Sequence, residues 1–196
     1  MKDNLLRSVV TLLPIAFLLS LFMLLPAEVL KGLAYQRDNG QWWAFLSAGW
    51  VHFELSHYLG SMVGLLVMWL LFAEHLQPVP VWLMLVVAAT ASVGFEHWLA
   101  QPPFFAVTIV ENRGFSGALY GFFAWGAMMD VLKRKPFGWL LLLLVLGKVV
   151  LEAILGEPLL SFSSVQQVAV MGHLGGALSG ALVALLWWYG SKRVTA

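Results

Sequence analysis

The chain has 196 residues, 61% of them hydrophobic and 11% charged, with a formal net charge of +1 and no cysteine. Soluble domains carry roughly 25% charged residues, so this composition excludes a water-coated globule and points to a protein integral to a membrane. The near-zero charge supplies no field for holding nucleic acid, and the lack of cysteine excludes disulfides and thiolate metal sites.

Lys2 and Arg7 precede an apolar run over residues 9–25. A signal peptide shows the same order of charge and apolarity, but its core is shorter and ends at a small-x-small cleavage site. The run therefore reads as a retained first membrane helix. A helix needs about 20 mostly apolar residues to cross a hydrocarbon core of about 30 Å. Six stretches meet that need, over residues 9–30, 54–72, 79–98, 115–132, 137–155 and 168–188. Backbone groups left unpaired are excluded from lipid, and nothing alternates over the length of a barrel strand, so all six read as helices. The expected fold is an all-α membrane protein, a single six-helix domain over residues 1–196. The longest connection, 31–52, holds Tyr35, Trp42, Trp43, Phe45 and Trp50. That aromatic density suits a loop lying in the membrane interface.

Basic residues in the connections set the orientation. Lys2, Arg7, Lys133, Arg134, Lys135, Lys192 and Arg193 fall on one side; Lys31, Arg37 and Arg113 fall on the other. Seven against three puts both termini in the cytoplasm. Spans two, four and six then enter from outside. His52 and His57 lie near the start of span two, Ser116 at the start of span four, and His173 early in span six. All four reach the outer half of the membrane.

Arg113-Gly114-Phe115-Ser116-Gly117-Ala118-Leu119-Tyr120-Gly121 contains Gly-x-Ser-Gly. Alone it also fits a close-packing face, since membrane helices use small residues to approach one another. His173 changes the balance. It stands in Gly172-His173-Leu174-Gly175-Gly176-Ala177-Leu178-Ser179-Gly180, inside an apolar span, and an ionisable residue there is a functional hypothesis by default. Gly176 and Gly180 share the His173 helix face, and Gly117 and Gly121 repeat the four-residue spacing. If these faces meet, a Ser116 hydroxyl and a His173 imidazole come within hydrogen-bond reach, the minimum for an activated serine nucleophile. The competing reading is a buried histidine bonded to a backbone carbonyl.

Glu96, Glu111 and Asp130 have no spacing that ties them to His173, so a Ser–His dyad is expected. Tyr120, one turn after Ser116, is placed to pack on the imidazole or simply in the core. Free amides at the start of the Ser116 helix and the His57 side chain are the expected oxyanion donors. On one helix His52 and His57 would stand roughly 140° apart, poor geometry for chelation; no metal or other cofactor is expected. Lys148 and Glu152, four apart in span five, read as a structural ion pair.

These residues are similar to the rhomboid family. The match lies in six spans, in His52-x4-His57, in Gly114-x-Ser116-Gly117 with Tyr120, and in His173-x2-Gly176-x3-Gly180. It covers residues 40–190, the aromatic loop included. The resemblance implies an intramembrane serine endopeptidase that cleaves membrane-anchored substrates. Ser116 would attack the scissile carbonyl, His173 would move the proton, and His57 with the Ser116 amide would support the oxyanion. Many rhomboids carry Asn one turn after the second histidine of span two; here that position is Ser61, whose hydroxyl is a shorter donor. Gln41-Trp42-Trp43, Trp50-Val51-His52 and the Lys148–Glu152 stretch resemble the rhombosortase branch, although Tyr120 stands where many of those enzymes have histidine. That branch implies substrates with a C-terminal Gly-Gly sorting tail, a bacterial inner membrane and an active site on the periplasmic side. The alternatives are a rhomboid with other single-span substrates, or a rhomboid-like binder of client helices that does no chemistry.

Overall fold

The computed structural model describes residues 2–37, 41–100, 111–159 and 168–194. The first expected span, 9–30, is two elements. Helix α1 (Lys2–Met23) stops, and α2 (Ala27–Leu33) begins behind Pro26. Proline lacks the amide proton a continuing helix needs and drives the residue before it out of helical conformation, so the break falls at Leu24-Leu25-Pro26. A short strand β1 (Tyr35–Gln36) and helix α3 (Ala44–Ser47) follow, and a single 3-10 turn, Ala48–Trp50, closes the interfacial segment.

Helix α4 (Leu55–Phe72) continues into a 3-10 turn at Ala73–His75, and α5 (Pro78–Leu99) opens on a proline whose missing N–H costs nothing in a first turn. Strand β2 (Glu111–Asn112) pairs antiparallel with β1, Tyr35 opposite Asn112. Then come α6 (Ser116–Leu132), α7 (Gly138–Leu155) and α8 (Val170–Val194). Among the described residues five segments are long and apolar enough to cross a membrane: Leu6–Met23, Leu55–His75, Pro78–Leu99, Gly138–Leu155 and Val170–Arg193. The protein is a multi-pass membrane protein built of helices.

Helix α6 has 17 residues and holds the centre. Phe122, Ala124, Trp125 and Ala127 on it are buried, whereas Leu140, Leu143, Leu144 and Ile154 on α7 point outward as a lipid-facing surface. Against α8 the packing is backbone on backbone. A Cβ added at Gly176 would sit 2.0 Å from the Gly117 carbonyl oxygen, and one added at Gly180 would sit 2.0 Å from that of Gly121. The two glycine faces expected from spacing therefore meet, and only hydrogen atoms fit between the helices.

Candidate active site

Ser116 is the first residue of α6 and His173 the fourth of α8. Their helices cross at the glycines just described, and His173 Nε2 lies 3.1 Å from Ser116 Oγ. His173 is 6% exposed. Tyr120 lies across the imidazole, ring centroids 4.4 Å apart and tilted by 41°, so this side chain does pack on the ring.

Two devices aim Ser116. Behind it, the segment before α6 is fastened to the interfacial loop: β2 pairs with β1, and the Gly114 amide donates to the Ala48 carbonyl at 3.0 Å. Phe115 is fully buried against Trp50. Beside it, Gly114 has φ +105°, and any Cβ there would stand 2.2 Å from the His57 ring. Only glycine satisfies both demands, and the chain turns sharply under His57 into α6. The opening turn of α6 leaves amides unpaired within the helix, next to the Ser116 hydroxyl.

Both histidines lie near the start of the second span, as expected, but only His57 is on α4. His52 precedes α4 in extended chain, so the 140° separation does not apply; its ring meets that of His57 edge to face, centroids 4.9 Å apart. His52 Nε2 lies 2.9 Å from Ser61 Oγ and 3.4 Å from the Phe115 amide, which donates to it. Ser61, expected at the oxyanion, is thus turned to His52, its Oγ also lying 3.3 Å from the His57 carbonyl oxygen. Burial, followed by the neighbouring His57, holds the His52 imidazole down to about 3. His52 is a neutral strut under the Ser116 turn.

The arrangement the sequence did not disclose is at Glu152. It does pair with Lys148, as expected, through Oε1. Its other oxygen, Oε2, lies 3.3 Å from His173 Nδ1. Glu152 is fully buried. Lys148 also donates to the Tyr120 hydroxyl at 2.5 Å, so one connected set runs Ser116, His173, Glu152, Lys148, Tyr120. Of the other acids, Glu96 is buried on α5 and accepts from the Gly172 amide at 3.1 Å, bracing the start of α8 beside His173. Asp130 bonds His75 at the far end of α6, and the side chain of Glu111 lies outside the described residues.

Among the described residues Glu74, His75 and Asp130 offer ligand atoms within 4.8 Å of one another. Lys133 approaches His75 Nδ1 at 2.8 Å and Lys135 pairs with Glu74, so ammonium groups of the chain itself already balance that charge.

The family profile described as the Rhomboid domain matches residues 39–190, most of the chain and all of the site. The chain belongs to the rhomboid family. Comparison with curated proteins gives no match. Rhomboids are intramembrane serine proteases that act on membrane-protein substrates within lipid, and a serine hydroxyl touching a histidine nitrogen is the chemical arrangement such a reaction requires.

Proposed function

We propose that this rhomboid is an active serine endopeptidase with Ser116 as nucleophile and His173 as general base. The observation that carries the reading is the 3.1 Å approach of Ser116 Oγ to His173 Nε2 between two helices locked by backbone contact. In the first half-reaction the Ser116 Oγ–H proton passes to Nε2 as Oγ bonds the scissile carbonyl carbon. The carbonyl π pair moves onto oxygen, where the free amides of the first α6 turn and the His57 side chain stabilise the anion. Collapse breaks the C–N bond, the imidazolium gives its proton to the leaving amine, and an acyl ester remains on Ser116. Water, deprotonated by His173, then hydrolyses the ester and restores both groups. With Ser61 turned to His52, the anion relies on His57 and backbone.

We further read the chain as a six-span protein with both termini in the cytoplasm and Ser116 opening toward the periplasmic side of a bacterial inner membrane. The distribution of Lys and Arg supports that orientation. Within the family, the Trp-rich loop and the Lys148–Glu152 pair favour the rhombosortase branch, hence substrates with a C-terminal Gly-Gly tail ahead of a membrane segment.

A fluorophosphonate probe tests the chemistry. It should label the wild-type protein at Ser116, fail on Ser116→Ala and weaken on His173→Ala. No labelling of a folded wild type would leave a helix-binding pseudoprotease. Co-expression with a Gly-Gly-tailed substrate, with the product terminus weighed by mass spectrometry, tests the specificity; cleavage of untailed single-span proteins alone would point to another branch.

A further inference from the structure

We propose that Glu152 is the positioning residue of the site, completing a Ser116–His173–Glu152 triad, with Lys148 as the counter-ion that keeps its carboxylate charged inside the bundle. The proposal rests on the serine-peptidase reading above and goes beyond its two-residue machinery.

The alternative is the ion pair expected from the i, i+4 spacing on α7. That pair accounts for one carboxylate oxygen only. Oε1 receives Lys148 and also the Leu159 amide at 3.0 Å, the chain folding back just past Gly156 to reach it. Oε2 is turned away from α7 toward α8 and lies 3.3 Å from His173 Nδ1. A purely structural pair has no need of that second reach across helices. Burial sharpens the point. Glu152 has 0% side-chain exposure, and Lys148 is 25% exposed, so the carboxylate sits deeper than the charge that neutralises it.

The chemistry follows from what a carboxylate can do. It accepts and does not donate. Paired with it, Nδ1 must carry the imidazole proton, which leaves the Nε2 lone pair facing Ser116 Oγ. That is the tautomer a general base requires. When Nε2 takes the serine proton, the new positive charge forms beside an anion already in place, so no group need reorganise. Lys148 binds the Tyr120 hydroxyl as well, and Tyr120 covers the imidazole face; the same ammonium that holds the carboxylate also holds the ring's cover.

The test uses the full chain in lipid. The rate of fluorophosphonate labelling at Ser116 is measured for wild type, Glu152→Gln, Glu152→Asp and the double variant Lys148→Leu/Glu152→Leu. Nitrogen-15 NMR of labelled histidine reads the His173 tautomer. Glu152→Gln should slow labelling roughly 10²-fold to 10⁴-fold, the scale on which amidation of an orienting carboxylate acts, and should lose the pure Nδ1–H tautomer. Glu152→Asp should recover part of the rate and the tautomer. The double variant removes the ion pair as a unit, a change often neutral for stability; it should fold and still label as slowly as Glu152→Gln. Labelling of the glutamine and double variants within a few-fold of wild type, with the tautomer unchanged, would overturn the triad while leaving the peptidase intact. Failure of the wild type itself to label would instead remove the peptidase reading beneath it.

Discussion

Among the described residues the bundle contains two trios of histidine, carboxylate and lysine, one at each end of α6. At the Ser116 end they are His173, Glu152 and Lys148; at the other they are His75, Asp130 and Lys133. Ser116 and Asp130 are fourteen residues apart on one helix, about 21 Å of rise. Both histidines are buried, and each bonds a carboxylate on another helix. What differs is the second ring nitrogen. On His75 it meets the Lys133 ammonium at 2.8 Å, with Nε2 on Asp130 at 2.5 Å. A lone pair engaged by an ammonium has no hydroxyl to deprotonate. On His173 the lysine is moved behind the carboxylate, and the vacated nitrogen faces a serine. The two trios share a composition and differ in the order of their members, and the proposed peptidase chemistry rests on that order.

Four experiments press on that contrast. The largest effect is expected at the serine: Ser116→Ala should abolish probe labelling and substrate cleavage, while Asp130→Asn should leave the labelling rate per folded molecule near wild type. Equal loss in both would erase the distinction between the ends. Next is the scaffold. Gly176→Ala forces a methyl against the Gly117 carbonyl, which belongs to the backbone and has no rotamer by which to yield. A displacement of about 1 Å at the site costs about 10²-fold, so labelling should fall on that scale even in protein that remains folded.

The third experiment reverses the readout. Asp130→Ala leaves His75 without its buried partner, and thermal unfolding in detergent should show a loss of about 3 kcal/mol, with Ser116 reactivity retained in the folded fraction. The last experiment concerns acid. His52 titrates at about 3 in the folded chain against 6.5 as the ordinary value. Between those values the unfolded chain binds the proton and the folded chain does not. His52 therefore adds stability in full above pH 6.5, and this is lost as pH falls toward 3, by up to about 1.4 kcal/mol per pH unit. Melting curves at descending pH should show this slope, and His52→Gln should flatten it.

The parts of this site that could be read from the chain are those encoded within one helix. The spacing of Gly117 with Gly121, and of Gly176 with Gly180, states which faces are bare of side chains, and bare faces in a membrane seek each other; the approach of Ser116 to His173 follows. The role of Glu152 between helices does not. Its i, i+4 partner already satisfies the sequence pattern, and nothing in α7 tells which way the second oxygen turns. His52 differs for another reason: setting it on one helical wheel with His57 treats as helix a segment that precedes the start of α4 at Leu55. The first span was placed past its end because Pro26 follows directly on the apolar run, and hydropathy does not register a missing amide proton.

The glycine contact between α6 and α8 has a consequence for how such a protein discriminates. Two rods whose main chains already touch have no slack to take up, so the hydroxyl and the imidazole stand ready whether or not a polypeptide has arrived. For the peptidase proposed above, selection then operates on entry: on which chains unwind and slip between the outer rods, rather than on which ones cock the trigger.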